Sequence, residues 1–191
     1  MSSRYTRCFV AIQLPGAVLK RLDREIGFLQ LAGASVRWVA ARNLHLTLRF
    51  LGGVESDEIM PICRELEAAA EAAPRPRLII KGTATLPKGD ADPRTVIAGV
   101  EGDVEVLKAL FDDLQGRFAG LGLRPEPRGL APHVTLGRLN GPVTDELRTR
   151  LTDGKNRSFG EFDVPAIHLM LSERGEQGSE YGVMDSFEFG G

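Results

Sequence analysis

Leu44-His45-Leu46-Thr47-Leu48-Arg49-Phe50 decides how this chain is read, because Pro132-His133-Val134-Thr135-Leu136 repeats its H-x-T-L order about half a chain length later. The chain has 191 residues and three histidines, and two of those histidines open the tetrapeptide. One copy would carry little weight. A matched pair, one per half, points to two related structural units.

The spacing predicts the local structure. In a β-strand, residues i and i+2 share a face. His45 and Thr47 therefore point one way, while Leu44, Leu46, Leu48 and Phe50 point the other. In the second copy His133 and Thr135 oppose Val134 and Leu136. Apolar and polar residues alternating in this way describe a half-buried strand with a polar face. Threonine is a good strand former, so a single copy is also compatible with a plain solvated strand face. Strict alternation assigns Phe50 to core packing, leaving a contact with a nucleic-acid base as the competing role.

Bulk composition excludes several classes. Hydrophobic residues make up 42% and charged residues 26%, as in ordinary soluble globular domains. The net charge of −2 and a pI near 6.0 leave no electrostatic footprint for long nucleic acid. Any nucleic-acid substrate has to be gripped locally, at an end or a single phosphate. Cys8 and Cys63 are far apart in apolar contexts and read as reduced, buried thiols of a cytoplasmic protein. Cys8 to Ile12 faintly mimics a secretion signal but meets Gln13 and Pro15 at once, so it is assigned to the first strand. No apolar run approaches the roughly 20 residues that span a bilayer, and no membrane association is expected.

Taken in order, Arg7–Leu14 reads as a buried strand and Ala17–Leu31 as an amphipathic helix. A short strand at Val36–Val39 precedes the first motif strand, which Gly52-Gly53 is expected to end. A helix over Glu55–Ala73 is expected to be capped by Ser56. Strands over Leu78–Leu86 and Thr95–Val100 flank a polar loop at Pro87–Arg94. Asp103 is placed as the cap of a helix to about Ala119, and a Gly/Pro/Arg-rich segment leads to the second motif strand. A short helix at Thr144–Leu151 is followed by strands over Phe159–Val164, Ile167–Ser172 and Tyr181–Phe189, with a hairpin loop over Glu173–Glu180. Helices interrupting runs of strands indicate α+β and not a doubly wound parallel sheet. Neither G-x-G-x-x-G nor a Walker sequence occurs.

Two imidazoles on facing strands suit paired general acid and general base work near neutral pH. Hydroxyls two residues away can donate hydrogen bonds to an anionic oxygen. Together they suit phosphoryl transfer, in which attacking and leaving oxygens lie roughly in line across phosphorus. Spaced metal motifs such as H-E-x-x-H are absent. So is G-x-S-x-G, and neither cysteine has an obviously reactive setting. His168 lacks a Thr partner and is read as structural or surface.

The paired motifs resemble those of the 2H phosphoesterase superfamily, and the rest of the chain is similar to its RNA 2′,3′-cyclic phosphodiesterase branch, also called 2′-5′ RNA ligase-like proteins. Arg7-Cys8-Phe9-Val10-Ala11-Ile12-Gln13-Leu14-Pro15 is similar to that branch's opening strand. Asn43 to Gly52 and Pro132 to Arg138 match its motif blocks, and Leu171-Ser172 with Tyr181-Gly182-Val183-Met184 its closing hairpin. The resemblance implies a single bilobal domain over residues 1–191 with two pseudo-symmetric lobes. Each lobe is an antiparallel sheet backed by helices, and a central groove holds one motif on each wall.

The same resemblance implies cofactor-free, metal-independent hydrolysis of a 2′,3′-cyclic phosphate at RNA or nucleotide ends to a 2′-phosphate. His45 would be the proton donor, His133 the proton acceptor, and Thr47 and Thr135 phosphate ligands. The residues by themselves do not say which histidine is acid and which is base. Arg138 is a candidate phosphate contact; alternation points it away from His133 unless Gly137 permits a bulge. Phe50 and Tyr181 are candidate base contacts. Val96-Ile97-Ala98-Gly99-Val100 departs from relatives that carry an aromatic residue there. The expected partners are RNA ends or nucleotides bearing the cyclic phosphate, bound by a monomer. Cleavage or reverse ligation of 2′-5′ linkages, and a non-catalytic module holding RNA-end phosphates, are the alternatives.

Overall fold

The computed structural model describes residues 5–87, 92–175 and 178–190. Strand β1 (Tyr5–Gln13) leads through Pro15 into helix α1 (Gly16–Gln30), whose buried Val18, Leu22, Ile26 and Leu29 recur at helical spacing. Strand β2 (Val36–Trp38) and a single 3₁₀ turn at Ala41–Asn43 precede β3 (His45–Glu55). Gly52-Gly53 does not end β3; Gly52 takes a positive φ of 79° inside it and pairing continues to Glu55.

Helix α2 (Ser56–Ala72) is capped not by Ser56 but by Glu55, whose backbone N–H donates to Glu58 at 2.7 Å. Strands β4 (Arg77–Leu86) and β5 (Thr95–Gly102) follow; the polar loop expected between them falls partly on residues 88–91, outside the described residues. Asp103 precedes α3 (Val104–Gly120), but its carboxylate accepts from the Arg77 backbone and does not cap the helix. The motif strand β6 (His133–Leu139), α4 (Asp145–Gly154) and β7 (Ser158–Asp163) come next, with Thr144 capping α4 through Leu147 N–H. Strands β8 (Ala166–Gly175) and β9 (Gly178–Glu188) pair through Gly175 and Gly178. The last loop is therefore shorter than its composition suggests, with 176–177 outside the described residues.

All strand pairs are antiparallel, in the order β7-β4-β5-β6-β3-β1-β8-β9, with β2 also on β6. The two sheets expected from the motif repeat are thus halves of one sheet, joined edge to edge between β6 and β3. In each half a strand, a helix and the motif strand follow in that order, and the first strand pairs antiparallel with the motif strand: β1-α1-β3 and β5-α3-β6. Helices α1 and α4 cover the second half, near β7 and β4, while α2 and α3 cover the first. The main core lies between helices and sheet, and includes Val10, Ile12, Leu46, Leu48, Val96, Val134 and Leu136. On the opposite sheet face Phe9, Ala11 and Met170 form a small separate cluster with Tyr181.

Matched irregularities shape that second face. In the β1–β3 ladder Val10 faces Arg49 and Ala11 faces Thr47, so Leu48 is an extra residue. In the β5–β6 ladder Val96 faces Gly137 and Ile97 faces Thr135, so Leu136 is its counterpart. Each bulge reverses the alternation beyond it. Arg49 turns into the core and is only 1% exposed, while Phe50 turns outward at 61%. The assignment of Phe50 to core packing is corrected on this ground. The same reversal brings Arg138 onto the face of Thr135, as a bulge near Gly137 requires.

Candidate active site

At the joint between the half-sheets, Leu46 is register partner to Val134. Running the antiparallel register one step either way sets His45 opposite Thr135 and Thr47 opposite His133. The two histidines are then diagonal neighbours, about 7–8 Å apart in a regular ladder. The side-chain alternation that buries Leu46 and Val134 turns all four polar residues to the other face, where each is half-buried.

Both imidazoles are held alike. His45 Nδ1 lies 2.7 Å from the Asn43 carbonyl oxygen, and His133 Nδ1 lies 2.7 Å from that of Ala131. A carbonyl oxygen only accepts, so in each ring Nδ1 carries the hydrogen and Nε2 is the nitrogen left for chemistry. Each carbonyl belongs to the residue two positions before its histidine, on the segment entering the strand. His45 Nε2 meets Thr47 Oγ1 at 2.9 Å. The ring also stacks at a tilt on Phe9, centroids 4.9 Å apart, and meets Tyr181 edge-on at 5.2 Å. Burial among these groups pushes the His45 pKa below its ordinary 6.5, partly opposed by the bond to Asn43.

A groove of about 350 Å³ opens over this face, lined by His45, Thr47, Phe50, Thr135, Arg138 and Tyr181 among others. His133 is not among its lining residues; the register puts it across from Thr47, beside the groove. Among the described residues the groove walls contain no Asp or Glu, although the chain as a whole is net negative. The walls also differ. The first half-sheet contributes aromatic surface, with Phe9 centred 5.2 Å from Tyr181 and 6.2 Å from Phe50. The second contributes Thr135 and Arg138; the counterpart of Phe9, facing Arg138, is Thr95. In the Val96–Val100 stretch, Ile97 and Gly99 sit beside the second motif, so the aromatic surface is confined to one wall.

Phe9 and Asn43 were not legible as site residues. Phe9 lies inside an apolar run, and only its separation from Cys8 and Val10 by strand alternation hints at a second face. Asn43 closes the groove's edge by donating from Nδ2 to the Ser179 carbonyl at 2.8 Å, a link across 136 positions with no sequence signature. His168 stays away from the groove lining, with Nδ1 2.8 Å from Ser186 Oγ. Cys8 and Cys63 are buried free thiols whose pKa values burial raises, as their contexts suggest. Among the described residues no three His, Cys, Asp or Glu side chains converge as a metal cage, and no helix is long and apolar enough to cross a membrane.

The family model described as LigT like phosphoesterase matches residues 12–97. In fold, the chain is similar to a crystal structure from Thermus thermophilus, at a TM-score of 0.81 and 24% identity over 97% of this chain and 98% of that one. It is also similar to E. coli LigT complexed with 3′-AMP, at a TM-score of 0.76 and 23% identity over 97% and 98%. Among curated proteins, the RNA 2′,3′-cyclic phosphodiesterase of Methanothermobacter thermautotrophicus is 30% identical over 182 residues, covering 95% of this chain and 97% of the relative. The one from Aeropyrum pernix is 30% identical over 167 residues, covering 84% and 90%. Identity sustained along nearly the full length of both chains indicates shared descent as well as shared shape: the chain belongs to the LigT-like phosphoesterases, a 2H phosphoesterase family.

Proposed function

We propose that this protein hydrolyses 2′,3′-cyclic phosphates at RNA or nucleotide ends to 2′-phosphates, by paired histidine acid–base catalysis that needs no metal. The observation that carries the reading is the matched tautomer of His45 and His133, each offering Nε2 from adjacent strands of one sheet face. The curated relatives named as RNA 2′,3′-cyclic phosphodiesterases support the substrate class.

In this mechanism the cyclic phosphate sits between the motif strands. His133 Nε2 takes a proton from water as its oxygen attacks phosphorus. The bond from phosphorus to O3′ breaks, and His45 Nε2 gives its proton to O3′, leaving a 2′-phosphate and a 3′-hydroxyl. In-line geometry needs the two nitrogens on opposite sides of phosphorus, and their diagonal positions on adjacent strands support that reading. Thr47 and Thr135 donate to non-bridging oxygens, and Arg138 supplies positive charge to the same wall. Burial disfavours the charged form of His45 in the free protein, whereas an arriving anion favours it and so helps load the ring with the proton it later gives up.

Phosphorus NMR of a 2′,3′-cyclic nucleotide incubated with the protein tests this directly. Ring opening to the 2′-phosphate in excess chelator is expected, falling about 10²–10⁴-fold in His45→Ala and in His133→Ala. Full turnover by either variant in its folded state, or loss of activity on chelation, would refute the mechanism.

A further inference from the structure

The second half-sheet sets an arginine that the reaction above does not use beside one that it does. Strand β2 docks on β6 with Arg37 directly opposite Arg138. On either side of Arg37, Val36 and Trp38 pack against the core, and a Cβ added at Gly137 would stand 2.6 Å from the Val36 side chain and 2.9 Å from that of Trp38. Alternation therefore puts Arg37 and Arg138 on the other face, the one that carries the groove. Arg138 itself lines the groove, as does Val39 just past the end of β2.

Like charges directly opposite one another in a sheet are destabilising. Sheets normally relieve such a pair with a carboxylate, and this chain has 26 Asp and Glu to draw on. The ion pairs among the described residues include neither Arg37 nor Arg138, both of which are exposed.

We infer that Arg37 and Arg138 form a clamp for a second phosphate of the substrate, the phosphodiester adjoining the terminal cyclic phosphate. The site then takes RNA ends of two or more nucleotides in preference to cyclic mononucleotides. Leu136 being the extra residue of a bulge, Thr135 to Arg138 spans two rungs of the ladder, about 7 Å, a step that carries the backbone from the reacting phosphate onto the arginine wall. The aromatic wall opposite is left for the terminal base. Two guanidiniums converging on one phosphate supply paired N–H donors of the kind that anion favours. The inference rests on the proposed cyclic-phosphate reading, and deepens it by naming the polymer as substrate.

Two measurements test it. In the first, a fluorescein-labelled RNA trinucleotide ending in a 2′-phosphate is titrated with the protein at several salt concentrations, followed by anisotropy. Arg37→Ala is expected to weaken binding about tenfold and to lower the salt slope by about 0.7, the single-strand value for one phosphate contact. Arg37→Lys should keep the slope, and Arg64→Ala, exposed on α2, should change nothing. In the second, kcat/KM is compared for a cyclic-phosphate-ended trinucleotide and a cyclic mononucleotide. Arg37→Ala should reduce their ratio about tenfold. An unchanged salt slope, or equal losses on both substrates, overturns the clamp. If the wild type leaves the cyclic mononucleotide and the trinucleotide intact while the salt slope still drops in Arg37→Ala, the hydrolytic reading fails and the clamp stands.

Discussion

Leu46 and Val134 face each other where β3 meets β6, and both side chains are fully buried. This one pair joins the half-sheets and sets the register of the four polar residues beside it. Leu46→Ala should cost about 2–5 kcal/mol, as buried leucine truncations do. Leu66→Ala, buried in α2, should cost a similar amount through the same cavity effect. The two variants should separate in kcat on a cyclic nucleotide, measured where each is fully folded. Loss at the joint shifts the histidines relative to one another, whereas loss in α2 does not. Equal kcat values, with stabilities read from urea unfolding, would show that the joint does not set the catalytic geometry.

The environment of His45 predicts a pH signature. The proposed acid must be protonated, so activity is lost as pH rises through its pKa. In the free protein burial holds that pKa below 6.5, so the alkaline limb of kcat/KM should fall below that value. A bound anion raises it, so the alkaline limb of kcat should lie at higher pH. The displacement should vanish in a substrate analogue lacking negative charge at phosphorus, read by NMR titration of the His45 ring. Coincident limbs in the two profiles would remove the acid role from His45.

Stability should also respond to pH. His45 and His168 both have folded-state pKa values lowered by burial. The unfolded chain therefore binds more protons around the ordinary imidazole value, and stability rises with pH there. The contribution is present above about 6.5 and is lost as pH falls through the folded values. Urea unfolding at pH 7.5 and at pH 5.5 should show a lower midpoint at the acid pH, with a smaller difference in His168→Gln. A midpoint gap that His168→Gln leaves unchanged would assign the effect to other groups.

What the sequence revealed and concealed follows from the period of a strand. His45, Thr47, His133 and Thr135 are spaced by two inside regular stretches, so alternation alone places each pair on one face. The extra residues at Leu48 and Leu136 lie just past those pairs. Nothing in Leu48-Arg49-Phe50 marks the reversal, so alternation alone turns Phe50 inward and Arg49 outward, the opposite of where they lie. At Leu136-Gly137-Arg138 the glycine was a cue, because β2 leaves no room there for a side chain. The joint at Leu46 and Val134, and the opposition of Arg37 to Arg138, are long-range register. No local pattern encodes either.

Arg49 is the residue whose burial most needs a role. It donates from Nη1 to the Leu114 carbonyl at 3.3 Å and from Nη2 to the Arg124 carbonyl at 2.9 Å, with its guanidinium 4.9 Å from the centre of the Phe118 ring. Its Nε has no partner. A buried cation lacking a full set of hydrogen bonds is an expensive way to fill space. What it accomplishes is to tie the first motif strand to α3 and to the segment that runs on to His133. Arg49→Met keeps most of the volume and removes the charge, so global stability should stay within about 1 kcal/mol of the parent, since apolar replacement of buried ions is often neutral or better. The carbonyl of Arg124 loses its donor, and amides between residues 121 and 132 should exchange faster with solvent. With that segment loosened, kcat should fall while KM changes little, because His133 is less well positioned. A loss above about 3 kcal/mol in urea, with unchanged exchange in the segment, would instead make Arg49 an ordinary support of the core.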